Sequence, residues 1–225
     1  MSIAMADQVP TFRGLVSAFA EFLTVAIHTI LYERSIYPQT SFLTARRYNH
    51  PVRQSRHPKV CEWINDAILA VEIQLLKGVV SSVAVVIISK DNKIMERFVF
   101  DASRFPAVPL ADLDTPLERK SPNGEDVDVL PAVDMEEQFR ATMSRFTNCQ
   151  SALKPLPQGC TFTVAIELKP EGDAPVIHPQ PWMPAQLEDT DDKSGASPFT
   201  TTPLRKVKAG DLVFETWIEE GQDKP

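Results

Sequence analysis

The chain has 225 residues, of which 43% are hydrophobic and 24% charged, and this composition is typical of a soluble globular protein with one large or two small domains. Its formal net charge of −7 disfavours unassisted binding to a nucleic-acid backbone, which requires a basic surface. Three cysteines (Cys61, Cys149 and Cys160) give neither an even disulfide framework nor a metal-ligand spacing, so a reducing compartment is indicated.

The first predicted element is a long apolar helix. Apolar residues recur at spacings of three and four from Phe12 to Leu31, and Thr11 is suited to cap the start. The stretch from Gly14 to Tyr32 is also about as long as a bilayer is thick. Because Glu21 and His28 would be costly in hydrocarbon, the sequence favours a buried central helix over a membrane span.

A second helix and a β-hairpin are predicted next. Apolar positions from Val60 to Leu75 have helical spacing, Pro58 suits a first turn, and Gly78 is placed to end the helix. The segment before this helix is predicted to be a basic loop, with Arg46, Arg47, Arg53 and Arg56. The valine- and isoleucine-rich run Val79–Ser89 and the run Ile94–Phe100 then predict the two strands of a hairpin.

The second half of the chain alternates between irregular and regular segments. The proline-containing stretch from Ala102 to Ala132 predicts a long, exposed and mobile loop. Asp134 and Glu137 have the spacing of a capping box, which predicts a third helix reaching Leu153. Strict alternation from Cys160 to Leu168 predicts a half-buried strand. Together these elements predict an α+β fold with helices on one face of a largely antiparallel sheet.

The stretch after Lys169 is unusual for a protein core. It contains seven prolines between Pro170 and Pro203 and the acidic run from Glu188 to Asp192. A regular strand, Asp211 to Glu219, follows only after it. Long irregular segments in compact domains are usually functional or disordered, and the returning strand favours a clasp that closes around a partner.

The sequence contains no recognised catalytic or phosphate-binding motif. His28 is interpreted as a core residue, and His50, His57 and His178 are scattered. The acidic clusters lack the ligand spacing of a calcium loop. Neither a metal, a cofactor nor a catalytic residue is therefore expected, although scattered residues could still assemble a site in the fold.

The three tryptophans are candidate binding residues. Trp63 lies at the edge of the apolar face of the second helix, where core and site are about equally favoured. Trp182 stands among prolines, which favours a site. Trp217 alternates with Leu212, Phe214 and Ile218 and is expected to point away from them, as a partner-contacting aromatic would.

Several motifs resemble those of the HORMA-domain family, over about residues 11 to 220. They are the runs Glu21–Pro38, Arg47–Asn49, His57–Pro58, Glu96–Phe100 and Gly159–Val164. The resemblance implies one HORMA domain over residues 1–225, with three helices on a mainly antiparallel sheet. The core would span about residues 11–168, with a mobile loop at about 102–132. The clasp, about residues 169–220, would be the family's safety belt.

Within this family the chain is most similar to the accessory branch that serves translesion DNA polymerase zeta. That likeness implies a non-enzymatic, nuclear adaptor that traps a peptide of the polymerase catalytic subunit through Trp63 and Trp182. Thr201, Glu215 and Trp217 would bind the deoxycytidyl-transferase scaffold polymerase.

The likeness implies further partners: Arg140 would contact a second HORMA protein, and an AAA+ remodeller would act on the complex. It implies neither direct nucleic-acid nor membrane binding. Trp63 stands where the family pattern has a tyrosine. Because Phe199–Thr202 and Arg205–Val207 resemble the spindle-checkpoint branch, a checkpoint protein that binds kinetochore and anaphase-regulator partners is the alternative.

Overall fold

A computed structural model describes residues 11–117, 119–120, 126–127, 132–173, 182–183, 199–209 and 212–222. These residues form three α-helices: α1 (Phe12–Glu33), α2 (Pro58–Leu76) and α3 (Ala132–Thr147). The longer strands are β1 (Phe42–Arg47), β2 (His50–Ser55), β3 (Val80–Ile88), β4 (Ile94–Asp101), β7 (Thr161–Leu168), β8 (Phe199–Ala209) and β9 (Leu212–Gly221). A small hairpin is formed by β5 (Arg119–Lys120) and β6 (Asp126–Val127).

Five strands form the central antiparallel sheet in the order β7-β3-β4-β9-β8. The C-terminal hairpin β8–β9 therefore joins the sheet beside β4, on the side opposite to β7. Within the described residues, β7 is an edge strand whose outer side pairs with no other strand. The predicted α+β fold, with three helices on a mainly antiparallel sheet, is confirmed.

Helix α1 is the centre of the hydrophobic core. Thr11 caps its start, since its Oγ1 accepts a hydrogen bond from Gly14 N at 3.1 Å. The helix is long and apolar enough to cross a membrane, but most of its apolar side chains are buried against the other elements. Phe22 lies among aromatic rings from α3, β4 and β9, which include Phe139, Phe100 and Phe214. The segment is thus a buried central helix, which the sequence favoured over a membrane span.

The prediction of a basic loop before α2 was wrong, because three of its four arginines, Arg46, Arg47 and Arg53, lie in the hairpin β1–β2. Tyr48 and Asn49 both have a φ of 51°, as a two-residue type I′ turn requires. Tyr48 is buried against the Phe22 and Phe139 rings. The hairpin therefore packs onto α1 and α3 instead of extending into solvent.

The segment after β4 also differs from the prediction of an exposed loop. Ala102, Phe105 and Leu113 are buried, and Phe105 packs edge-on against Phe19 with ring centroids 5.0 Å apart. Arg13 N donates a hydrogen bond to the Leu113 carbonyl at 3.0 Å. The first part of the predicted loop is thus attached to the start of α1.

Two further boundaries differ from the predictions. Helix α3 begins at Ala132, so Asp134 lies in its first turn and not at the cap, and the helix ends at Thr147, before a short 3₁₀ turn at Cys149–Ala152. The segment assigned to the irregular clasp includes the eleven-residue strand β8. The acidic run Glu188–Asp192 lies outside the described residues.

Candidate partner-binding site

A groove lies between the start of α2 and the start of the edge strand β7. Its volume is about 270 Å³, and it is lined by Tyr37, Lys59, Val60, Trp63, Thr161 and Phe162. Helix α2 begins here because Pro58 occupies its first turn, which places Lys59 and Trp63 four residues apart on one helical face. The groove thus joins a helix face to a sheet edge.

Aromatic side chains form the apolar part of the groove. The Trp63 and Phe162 rings meet edge to face, with centroids 5.0 Å apart, and Phe162 meets Tyr37 in the same way at 6.3 Å. Trp63 remains 43% exposed, so a large part of its ring is free to contact a partner. The sequence left core and site equally open for Trp63, and its exposure favours the site.

The edge of β7 lies next to this groove. Its inner neighbour is β3, with Val85 opposite Val164 and Ile87 opposite Phe162. A strand edge carries unpaired N–H and C=O groups that can bind an extended peptide, while adjacent pockets accept its side chains. An edge that is unpaired in the described part of the chain, together with an aromatic groove, is suited to capturing an extended segment of another chain.

The turn before β7 depends on Gly159, whose φ is +81°. A Cβ built there would meet the Lys90 side chain, with Cε only 2.0 Å away. Glycine is therefore favoured by the backbone conformation, while the end of the Lys90 side chain packs closely over it.

Between residues 174 and 198, the structure describes Trp182 and Met183. Trp182 is half-buried and packs against the hydrophobic core, whereas Met183 is 89% exposed. The contact shows that this part of the proline-rich segment reaches the folded core. Its relation to a bound peptide stays a prediction.

The candidate scaffold-polymerase residues share the sheet face that lies opposite the helices. Phe214, Thr216 and Ile218 of β9 are buried, so the intervening Glu215 and Trp217 point the other way, as predicted for Trp217. Register places Thr201 opposite Glu219, Pro203 opposite Trp217 and Lys206 opposite Glu215, which brings Thr201 onto the same face. Lys206 Nζ pairs with Glu215 Oε1 at 2.5 Å, and Trp217 Nε1 donates to Glu219 Oε1 at 2.9 Å. Their role in binding remains a prediction.

Arg140 lies on helix α3 and is not part of the sheet. Its Nη2 pairs with Glu137 Oε1 at 2.9 Å, and both side chains are largely exposed. A solvent-exposed pair of this kind contributes little to stability, and the Arg140 side chain is 42% exposed. No group of three or more metal-ligating side chains occurs among the residues that the structure describes.

His28 is a buried core residue, as interpreted from the sequence. Its Nδ1 accepts a hydrogen bond from Ser55 N at 3.4 Å, which links α1 to the end of β2. Burial lowers the pKa of His28 to about 4, because the charged imidazolium is desolvated. The His28 imidazole is therefore neutral in the folded protein at neutral pH.

The pKa of His28 predicts an acid-dependent loss of stability. Since the unfolded chain binds a proton near the ordinary pKa of 6.5, the contribution of His28 is complete above that pH and declines as the pH falls toward 4. As the pH falls from about 7 to about 5, we expect this linkage to lower the free energy of unfolding by about 2 kcal/mol. Urea unfolding of the wild type and of His28→Gln at both pH values measures this cost. Equal pH dependence of the two proteins would exclude the effect.

The HORMA domain family matches residues 16–212, and the chain belongs to this family. It is 35% identical over 209 residues to the DNA polymerase zeta processivity subunit of Schizosaccharomyces pombe, a match that covers 92% of this chain and 93% of the relative. It is 31% identical to the human mitotic spindle assembly checkpoint protein MAD2B, which covers 91% of this chain and 90% of the relative.

Solved structures show the same fold at low sequence identity. A chain of the mitotic checkpoint complex superposes with a TM-score of 0.67 at 17% identity, covering 92% of this chain and 98% of that one. Caenorhabditis elegans HTP-1 bound to the HIM-3 closure motif superposes with a TM-score of 0.60 at 14% identity, covering 94% of this chain and 92% of that one. These similarities confirm the HORMA fold, with its helices packed on one sheet.

Proposed function

We propose that this chain is a non-catalytic adaptor subunit of DNA polymerase zeta that captures an extended segment of the polymerase catalytic subunit. The observation that carries the proposal is the edge of β7, which pairs with no further strand among the described residues, beside the aromatic groove of Trp63 and Phe162. The similarity to polymerase zeta processivity subunits supports the identity of the partner. HTP-1, which has the same fold, is bound to a closure motif in its solved structure.

Capture would combine three interactions. Main-chain hydrogen bonds to β7 give affinity, and the groove gives side-chain selectivity. The safety belt, residues 169–220, closes over the segment, with Trp182 as its contact. Release then requires local unfolding of the belt, so dissociation is slow compared with an open groove.

The sheet face with Thr201, Glu215 and Trp217 would hold the scaffold translesion polymerase, so that the adaptor bridges two polymerases during error-prone bypass of damaged DNA. Arg140 would contact a second HORMA protein, and an AAA+ remodeller would open the belt. Such an adaptor works in the nucleus. It needs neither a cofactor nor direct contact with DNA.

Binding measurements with overlapping peptides of the catalytic subunit test the proposal. We expect Trp63→Ala to weaken the best peptide about 30-fold, because truncation of a central aromatic anchor costs about 2 kcal/mol. Leu69→Ala is the matched control, since Leu69 is an exposed apolar residue of the same helix outside the groove. Trp182→Ala should raise the dissociation rate. Affinity and dissociation that are unchanged in both tryptophan variants would refute capture at this site.

A spindle-checkpoint function is the second candidate, because several relatives, among them human MAD2B, carry the name of a mitotic spindle assembly checkpoint protein. Such a protein would bind kinetochore and anaphase-regulator partners through the same belt. Proteins that co-purify with the chain from native extract distinguish the candidates. Recovery of checkpoint partners without polymerase subunits would favour the second.

A further inference from the structure

The segment that leads into the groove has an unusual charge distribution. From Ser35 to Cys61 the chain contains four arginines and Lys59 but neither an aspartate nor a glutamate, although acidic residues outnumber basic ones by 30 to 23 in the whole chain. Among the described residues that line the groove, Lys59 is the one charged side chain. In a net-negative protein, the charge that lines the described groove is therefore positive and comes from Lys59.

Several of these arginines already have partners within the protein. Arg47 pairs with Glu21, and Arg46 donates to the Asn49 amide oxygen. Arg53 donates to Thr44 Oγ1 and lies over the Tyr32 ring at 4.4 Å. The contacts of Arg47 with Glu21 and of Arg53 with Tyr32 join the β1–β2 hairpin to α1.

Lys59 differs from the arginines. It is exposed, it lines the groove beside Trp63, and it forms no ion pair within the described ranges. Glu62, the next carboxylate along α2, is not among the lining residues. Lys59 is therefore available to a bound partner.

A second cation flanks the other wall of the groove. The Lys90 side chain runs over Gly159, two residues before Thr161. Asp91, which follows Lys90 in the β3–β4 turn, is exposed and forms no ion pair in the part of the chain that the structure describes. Lys59 lines the groove itself, whereas Lys90 lies beside the turn that leads into β7.

We propose that this groove selects extended segments in which a carboxylate side chain lies close to the apolar side chain that the groove holds. Lys59 is the residue that pairs with this carboxylate. The inference rests on the proposed function and specifies the chemistry of the captured segment. An exposed ion pair adds little affinity, whereas a like charge at the same position is disfavoured, so Lys59 acts mainly on selectivity.

Charge-swap binding measurements test this inference on the full chain, with the catalytic-subunit peptide that binds best as the probe. Replacing the probe's acidic residue by its amide should weaken binding about threefold, as expected for an exposed pair, and Lys59→Glu should weaken binding about tenfold. A probe with lysine at the acidic position should then regain affinity for Lys59→Glu. Lys77→Glu, the same change at the exposed C-terminal end of α2, is the control and should leave affinity unchanged.

The outcomes separate the inference from the proposed function. The inference is overturned, and the adaptor function stands, if Trp63→Ala weakens binding of a probe that has no carboxylate near its apolar side chain. The same holds if Trp63→Ala weakens binding of the probe while Lys59→Glu binds it with normal affinity. If no peptide of the catalytic subunit binds in a Trp63-dependent manner, both are overturned.

Discussion

Arg34→Met is expected to lower the unfolding free energy by about 3 to 5 kcal/mol, because it leaves a carboxylate buried without its arginine. Arg34 Nε and Nη2 donate to Glu96 Oε2 and Oε1 at 2.9 and 2.6 Å, and the two side chains are 3% and 0% exposed. Arg34 Nη2 also donates to the Lys154 carbonyl at 2.6 Å, and Lys154 N donates to Glu220 Oε1 at 2.9 Å. The pair thus connects the end of α1 to β4 and to the end of β9.

Equilibrium unfolding in urea measures the effect of Arg34→Met. Arg140→Met is the matched control, because its partner Glu137 is exposed, and it should cost less than about 0.5 kcal/mol. The double change Arg34→Met with Glu96→Leu should recover most of the loss, since it removes both buried charges. A loss below about 1 kcal/mol in Arg34→Met would show that the pair is not the structural link described here.

Phe22→Ala should also cost about 3 to 5 kcal/mol, through lost burial and the cavity left behind. The Phe22 ring is fully buried and stacks on Phe139 with centroids 4.6 Å apart and an interplanar angle of 14°. It also contacts Phe100 at 6.1 Å and Phe214 at 5.7 Å. One side chain of α1 therefore joins α3, β4 and the C-terminal strand β9.

Thermal and urea unfolding measure the effect of Phe22→Ala, with Leu69→Ala as an exposed control expected to change stability by less than about 0.5 kcal/mol. Phe22→Leu should recover part of the loss, because it restores much of the volume. A change in Phe22→Ala that is as small as that of the control would contradict the central position assigned to this ring.

Elements with a regular apolar period could be predicted from the sequence. Helix α1 and strand β7 repeat apolar residues at the spacing of their own geometry, and β3–β4 is rich in β-branched residues. Hairpin β1–β2 was missed because three arginines and Pro51 hide its alternation, and its turn lacks the usual asparagine–glycine signal. Strand β8 was missed because Pro203 and three successive threonines do not show the pattern of a buried strand.

The candidate site was predicted only in part for a similar reason. Trp63 and Trp182 were singled out from the sequence, and their role in binding stays a prediction; the structure places Trp63 in the groove, 43% exposed. Phe162 was expected on the apolar face of a strand, but nothing local in the sequence places that face against the start of α2. The grouping of Tyr37, Lys59 and Phe162 comes from three distant segments, so only the fold reveals it.

Hydrogen exchange of the full chain, with and without the best-binding catalytic-subunit peptide, tests peptide capture most directly. We expect slower exchange along β7 and across residues 169–198 when the peptide is bound, whereas buried amides of α1 should stay unchanged. Equal exchange of β7 and of residues 169–198 in both states would contradict capture at this edge.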